Sequence, residues 1–600
     1  MNTNNGLWNE TWSNIIVEEL ARNGITFFCV SPGWRSAPLS LAVGQNSKIT
    51  IQICTDERAA AFLALGYGKA TGHPAGLIAT SGTAVANYLP AVVEASMSHV
   101  PMLLLTADRP PELHECGANQ AIRQNDLFQH YVRWSHSLAC PGPEMPINAL
   151  VSTLCYAVHC AQSPLSGPVH LNFPFREPFL SSHPQKIVSL QLPQGWEAED
   201  NAYVSWSPAQ KLPDEAIIDA LLQARPARGI LSVGRIPLKA RSMVERLAEA
   251  LNWPVFVDIN SGLRLGKSSP LLIAHYDALL IATEKKVDWE PEAIWHFGLP
   301  PVSKRWLQVW ENTQAQQMVW IADHSLRHDS THRFRWQIES DIGAFCASCT
   351  ERLPSSSEGK AETAAWLGAW QALELRTEAL MEEYFDCFDR FDKDGAIVSE
   401  AAISRLLSHL IPKEHGLFIG NSLPIRMMDT YSTCCGKGLR AASNRGASGI
   451  DGVIASTVGY AQGLRQAVTL LIGDLSALHD LNSLALVQQS SFPVIIVLFN
   501  NHGGGIFSFL PVAKETSPLF EKLFTTPQNY NFEAASQAFH LNYHRADSMA
   551  TFRESYQTVI ASKGSALIEV STNCAANPSQ QEQWQAFFLE GISSELESQA

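Results

Sequence analysis

Basic side chains are the scarce class in this sequence. The 43 lysines and arginines stand against 58 aspartates and glutamates, a formal net charge of −15. A general nucleic-acid binder shows a basic surface, so that class is excluded. An acidic small-molecule substrate is not, because a local arginine cluster suffices to bind one. Charged residues make up 17% and hydrophobic residues 46% of the 600, which excludes a disordered or fibrous chain. No apolar run approaches the roughly 18 residues that cross a bilayer. The strongest runs, Phe492 to Phe499 and Met102 to Leu105, are of strand length. The opening Met1-Asn2-Thr3-Asn4-Asn5 has no basic segment followed by an apolar one, so a cytoplasmic protein without a membrane partner is expected. Twelve cysteines are few for this length, and Cys346-x-x-Cys349 has no second pair at zinc-finger spacing. Reduced, structural thiols are expected.

The pattern of what is present is repeated alternation of strand and helix. Ile25 to Val30, Ala75 to Thr80 and Pro101 to Ala107 read as strands, with helices over Thr55 to Ala70 and Ala84 to Ser96. Such alternation predicts parallel sheets with crossover helices, an α/β fold. Three blocks are expected: residues 1–185, a linker over 186–213, a central block over 214–355, and a last block over 356–600, with Pro354 to Gly359 as a second linker. The central block has no Gly-x-Gly-x-x-Gly after its first strand, since Gly229 and Gly234 are too far apart. It is read as structural and not as a nucleotide sensor. Gly-x-Ser-x-Gly does not occur between a strand and a helix, which removes a serine hydrolase.

The chemistry is concentrated in the last block. Leu470-Leu471-Ile472-Gly473-Asp474-Leu475-Ser476 reads as a strand ending in Gly-Asp, followed by a helix over Ala477 to Gln489. A second strand, Val494 to Phe499, ends in Asn500-Asn501-His502-Gly503-Gly504-Gly505. One crossover separates the two strand ends, so they are expected side by side at the carboxyl edge of the sheet, where such folds bind ligands. An Asp carboxylate and an Asn carbonyl meeting there make a hard-oxygen site suited to Mg²⁺ and phosphate oxygens. Each half alone is an ordinary turn.

Together they resemble the Gly-Asp … Asn-Asn motif of the thiamine diphosphate (ThDP) enzymes. The resemblance implies three consecutive doubly wound parallel-sheet domains: a pyrimidine-binding domain, a central Rossmann-like domain, and a domain binding diphosphate and metal. It implies ThDP as cofactor and Mg²⁺ or Mn²⁺ held by Asp474, Asn501 and the Gly503 carbonyl. Gly473, Leu475 and Ser476 would also bind the cofactor, although the family more often has glycine where Leu475 stands. Those enzymes also carry a glutamate just after a strand of the first domain, on N1′ of the aminopyrimidine, to support removal of the C2 proton. Thr55-Asp56-Glu57-Arg58 fits, with Glu57 as the catalytic candidate and Asp56 as the helix cap.

Six longer stretches narrow the family. They are Ser31-Pro32-Gly33-Trp34-Arg35-Ser36-Ala37-Pro38, Thr80-Ser81-Gly82-Thr83, Thr106-Ala107-Asp108-Arg109-Pro110, Gly117-Ala118-Asn119-Gln120-Ala121-Ile122-Arg123-Gln124, Gly420-Asn421-Ser422-Leu423-Pro424-Ile425-Arg426 and Ser443-Asn444-Arg445-Gly446-Ala447-Ser448-Gly449-Ile450. They resemble the 2-succinyl-5-enolpyruvyl-6-hydroxy-3-cyclohexene-1-carboxylate (SEPHCHC) synthases of menaquinone biosynthesis. That family decarboxylates 2-oxoglutarate, releasing CO₂, and adds the succinyl unit to isochorismate by 1,4-addition without releasing pyruvate. Both substrates are dianions, which call for guanidinium groups. The matching positions are Arg35, Arg109, Arg123, Arg426 and Arg445, with Ser36, Asn119, Gln120 and Ser422 as neutral partners. Lys304 or Arg305 would close over isochorismate, and Ile506, Phe507 and Leu510 would wall its ring. Ile450 matches the residue that props the cofactor, with Ser448 beside it. Trp34 stands where the family commonly has a small residue. The family's sites lie between two subunits, so a homo-oligomer is implied. An acetolactate synthase or 2-oxoacid decarboxylase would share Glu57, Asp474 and Asn501 but has no use for the arginine set.

Overall fold

A computed structural model describes residues 4–599 apart from 183–191, 195, 197, 267–268, 284–286, 354–359, 392–397, 435–437 and 515–517. The expected linker from Pro354 to Gly359 therefore lies outside the described residues. Three six-stranded parallel sheets follow one another along the chain. The first contains β1 (Phe27–Val30), β2 (Thr50–Ile53), β3 (Gly76–Ala79), β4 (Met102–Asp108), β5 (Trp134–Ser137) and β6 (Pro168–Pro174), in the order β2-β1-β3-β4-β6-β5. The second contains β7 (Gly229–Val233), β8 (Val255–Val257), β9 (Leu272–Ile273), β10 (Ala293–Phe297), β11 (Gln317–Ala322) and β12 (Trp336–Glu339), in the order β12-β11-β10-β7-β8-β9. The third contains β13 (Gly416–Ile419), β14 (Arg440–Ser443), β15 (Val468–Gly473), β16 (Val494–Asn500), β17 (Asn542–Ala546) and β18 (Ala566–Ser571), in the order β14-β13-β15-β16-β18-β17.

The first and third sheets thus share one strand order. The middle sheet has the order of the dinucleotide-binding folds but not their glycine fingerprint. The interior strands β1, β3, β4 and β6 are buried throughout, as apolar strands covered on both faces must be. The edge strands β2 and β5 are the exposed ones, and they carry Thr50, Gln52, Ser135 and His136.

By backbone contacts the chain divides into two units. One comprises residues 1–209, 444–468 and 476–494; the other comprises 210–443, 469–475 and 495–600. In the first unit the helix Glu57–Thr71 begins where predicted. The Asp56 carboxylate accepts from the amides of Arg58 and Ala59 at 2.9 and 3.3 Å, and Gly72 ends the helix at φ +73°. This helix packs closely on the helix Val453–Leu464. A Cβ on Gly459 would lie 1.8 Å from the Leu63 carbonyl oxygen, and one on Gly66 would lie 1.9 Å from that of Ser456. Only hydrogen at those two positions allows the helices to approach so closely.

Two predicted helices are each broken. Residues 84–96 divide into Thr83–Ala86 and Leu89–Met97, with Pro90 in the first turn of the second piece. Residues 477–489 divide at Asp480, between Asp474–His479 and Leu484–Gln489. The fully buried Asp480 carboxylate accepts from the Ala455 amide at 3.0 Å and the Ser483 hydroxyl at 2.7 Å. These bonds outweigh a continuous helix. Ten cysteines are described, all as free thiols. Cys29, Cys54, Cys155, Cys346 and Cys349 are buried and Cys116 is exposed. No helix among the described residues is long and apolar enough to cross a membrane.

The glycine crossing gives a first expectation. Gly459→Val forces a side chain into a backbone carbonyl and should destabilise the protein by about 1–3 kcal/mol or more. A lower urea midpoint checks this, and an unchanged midpoint contradicts the close approach.

Candidate active site

In the first unit two arginines predicted to bind carboxylates are held together and buried. Arg35 and Arg109 are each 7% exposed. Arg35 donates to the Phe175 carbonyl at 2.8 Å and to Glu177 at 3.4 Å, and its guanidinium lies 4.7 Å from the centre of the Phe179 ring. Arg109 donates to the Ser81 hydroxyl, and its amide donates to Asp108 at 2.7 Å. Burial lowers the pKa of both groups, and Arg109 lowers that of Arg35 further through charge repulsion. Two cations brought together out of water repel and lose hydration, a cost that an anion between them would relieve. Ser36 is fully buried and gives its hydroxyl to the Gly33 carbonyl at 3.0 Å. Trp34 is 68% exposed and stands edge-on to Phe179, with ring centres 5.9 Å apart.

Asn119 and Gln120 lie on an exposed turn, with Gln120 at φ +54°. Arg123 is not gathered with Arg35 and Arg109; it is exposed and pairs with Glu115 at 2.7 Å. Its neighbour Gln124 is the buried member of that stretch. It accepts from the Gly82 amide at 2.9 Å and donates to the Ala107 carbonyl and to Asn172. Glu57, the first residue of its helix, is half-buried. Arg58 next to it donates to the His479 carbonyl at 3.0 Å. The segment with Arg445, Ser448 and Ile450 is held by Glu94, a nearly buried acid that accepts from the amides of Gly446 and Ala447 at 2.8 and 2.6 Å. Ile450 is exposed and its carbonyl accepts from Ser476 at 2.8 Å.

In the second unit the ends of β15 and β16 meet as the spacing predicts. Asp474 Oδ2 accepts from the Gly503 amide and from Gln528, each at 2.9 Å, and Oδ1 accepts from the Leu475 amide at 2.7 Å. Burial pushes the Asp474 carboxyl up to about 6 despite these bonds, which pull it down. Asn501 donates its amide to Glu400 at 2.9 Å, while Asn501 Oδ1 is buried with no hydrogen-bond partner among the described residues. Gly503 must be glycine, because a Cβ there would sit 2.2 Å from the Thr525 carbonyl oxygen. A carboxylate, an orphaned amide oxygen and a backbone carbonyl are hard donors of the kind Mg²⁺ or Mn²⁺ takes. These residues fit such a cation together with a diphosphate.

Ser422 starts the helix Leu423–Tyr431 at φ +70°, and Arg426 on that helix donates back to the Ser422 carbonyl at 2.6 Å. Ile506 and Phe507 are half-buried and Leu510 is exposed, on a short 3₁₀ segment, Gly505–Phe509, and the residue after it. Lys304 is exposed, whereas Arg305 pairs with Asp277 at 2.6 Å.

Comparison with known proteins meets this geometry. Residues 10–130 match the thiamine pyrophosphate enzyme N-terminal TPP binding domain, 189–419 the middle domain of thiamine pyrophosphate enzymes, and 432–570 the C-terminal TPP binding domain. The SEPHCHC synthase of Chlorobium phaeobacteroides (strain BS1) is 43% identical over 570 residues, 93% of this chain and 94% of that protein. That of Rubrobacter xylanophilus is 41% identical, covering 95% and 96%. That of Prosthecochloris aestuarii is 42% identical, covering 93% and 94%. The chain belongs to the SEPHCHC synthase family. It is a ThDP-dependent enzyme, and its α/β architecture of three parallel-sheet domains is the one the motifs implied.

Several residues that hold these candidate groups in place, each within its own unit, carry no signal in the sequence. Glu400, Gln528 and Glu94 lie outside every motif, and each acts across a long sequence separation. Asp429 is another. It is buried on the helix of Arg426, accepts from the Ile259 amide at 2.8 Å and from the Tyr276 hydroxyl at 3.1 Å, and so ties that helix to the turn after β8. Burial, then the nearby Asp258, push its carboxyl up to about 8. The folded value lies above the unfolded one of roughly 3.9. The folded state therefore holds a proton that the unfolded chain has released, and stability falls as pH rises through that window. Asp429→Asn cannot titrate, so wild type should lose stability relative to the variant between about pH 4 and pH 8. Denaturation midpoints across that range check it, and parallel curves contradict it.

Proposed function

We propose that this enzyme decarboxylates 2-oxoglutarate and adds the remaining succinyl unit to isochorismate by 1,4-addition, in menaquinone biosynthesis in the cytoplasm. CO₂ is released, SEPHCHC is formed and pyruvate is not lost. The observation that carries this reading is the buried Arg35 and Arg109 pair, two cations held where a dicarboxylate would offset them. Other ThDP carboligases acting on monocarboxylates have no need of such a pair.

ThDP, when bound, supplies the carbanion chemistry that both half-reactions need. The chain's residues position and protonate. Glu57 would take the hydrogen bond at N1′ of the aminopyrimidine. Asp474, Asn501 and the Gly503 carbonyl would hold Mg²⁺ or Mn²⁺ against the diphosphate, beside Gly473, Leu475 and Ser476. Ile450 and Ser448 would support the cofactor ring. Arg35, Arg109, Arg426 and Arg445 would bind substrate carboxylates, with Ser36, Asn119, Gln120 and Ser422 as neutral partners. In that set Ser36 contributes by shaping the Gly33 turn, since its hydroxyl already has an acceptor. Lys304 is freer than Arg305 to reach a ligand, because Arg305 is engaged by Asp277. Ile506, Phe507 and Leu510 would face the isochorismate ring. The enzyme would work as a homo-oligomer with each site shared between two subunits.

Turnover of isochorismate with 2-oxoglutarate, with and without ThDP and Mg²⁺, tests the reaction. Formation of a product from 2-oxoglutarate alone would favour a simple decarboxylase. Glu57→Gln should keep the fold and ThDP binding and lose most activity, because an amide cannot support the proton shift; near-wild-type turnover refutes the assignment. Arg109→Ala removes charge-assisted hydrogen bonds worth about 1.5–3 kcal/mol. The kcat/KM of the affected substrate should fall on the order of 10- to 100-fold, with ThDP affinity unchanged. Loss of ThDP affinity to the same extent would mark Arg109 as structural.

A further inference from the structure

We propose that Glu400 is a positioning residue for the metal site: its Oε1 fixes the side-chain amide of Asn501 so that Asn501 Oδ1 points at the cation. This inference rests on the metal reading given above. Glu400 is 1% exposed and is the first residue of the helix Glu400–Leu410. Its Oε1 accepts from three groups: Asn501 Nδ2 at 2.9 Å, Asn577 Nδ2 at 3.0 Å and the Thr572 hydroxyl at 3.1 Å. An oxygen already taking a hydroxyl and a second amide has no proton to give. Turning the Asn501 amide over would set its carbonyl oxygen against that acceptor and direct its NH₂ group at a cation. The acceptor therefore selects one of the two amide orientations, which leaves Oδ1 buried and unpartnered. Metal ligands are commonly oriented through such outer contacts, whose loss costs about 10- to 100-fold in metal affinity.

A purely architectural role for Glu400, tying Thr572 and Asn577 to the start of its helix, predicts something different. So does a role through negative charge alone. Glu400→Gln keeps the length and the carbonyl acceptor but removes the charge. Glu400→Asp keeps the charge but draws the acceptor back from Asn501 by one methylene. Positioning by reach predicts Mn²⁺ affinity near wild type in E400Q, a clear loss in E400D, and a loss of about 10- to 100-fold in E400L. Charge alone predicts the reverse order of E400Q and E400D.

The measurement is Mn²⁺ binding to the full-length protein with ThDP, read by electron paramagnetic resonance of free Mn²⁺, which is independent of turnover. Thermal unfolding confirms that each variant is folded, and if E400L is not, the E400Q and E400D order carries the test. In the cycle with Asn501→Ala, E400L should add no further loss, because it acts through that side chain. Asp474→Ala and N501A are the controls. If both weaken Mn²⁺ and E400D and E400L do not, or if E400Q falls below E400D, or if the losses of E400L and N501A add, Glu400 does not position Asn501 and the metal site stands. If neither control weakens Mn²⁺, the metal reading itself is overturned.

Discussion

The Gly503 amide donates to Asp474 Oδ2 across the ends of two neighbouring strands, and what the third sheet offers a ligand depends on that bond. A carboxylate as deeply buried as Asp474 needs donors, or its desolvation costs several kcal/mol. The bond meets part of that need and at the same time fixes the path of the chain beyond β16. The following residues have no freedom to relax, because the Thr525 carbonyl closes over Gly503 and the Gly504 amide donates to it at 2.7 Å. Asn501 is thereby set between a fixed loop and the Glu400 carboxylate. One hydrogen bond thus fixes the chain between Asp474 and Gly503, and the Asn501 side-chain oxygen close by is left buried without a partner among the described residues.

The first unit solves the opposite problem, how to keep cations in a protein whose net charge is −15. Arg35 and Arg109 are each anchored to neutral oxygens, the Phe175 carbonyl and the Ser81 hydroxyl. The nearby carboxylates do little to neutralise them: Glu177 is exposed at 3.4 Å, and burial weakens the acidity of Asp108. Anchoring through neutral acceptors holds the guanidinium groups in place while leaving their charge for a ligand. Glu94 does a related service with opposite sign, fixing the backbone next to Arg445 through two amides.

Much of this was legible in the sequence because it is local. Asp474, Asn501 and Gly503 announce themselves as residues at the ends of apolar strands, and Asp56 as a cap one residue before a helix. The sheets are legible because interior parallel strands must be apolar on both faces. Glu400 was not legible. It follows Ser399 at an ordinary helix start, and nothing local says that a side chain 101 residues further on will donate to it. Asp480 is similar: its neighbours favour a continuous helix, and only the Ala455 amide, brought near by the fold, explains the break. Arg123 misled in the other direction, since a motif rich in polar residues does not say which of them turns inward. Gln124 did.

The one exposed thiol among the described cysteines, Cys116, lies in the same turn-rich stretch as Asn119 and Gln120, while half of the described thiols are buried. Accessibility governs which thiol a maleimide reaches first. Among the described thiols Cys116 is therefore the natural attachment point for a dye, beside the turn proposed to contact substrate. A fluorophore placed there would lie in the stretch that carries Asn119 and Gln120, in the unaltered sequence and with no dependence on catalysis.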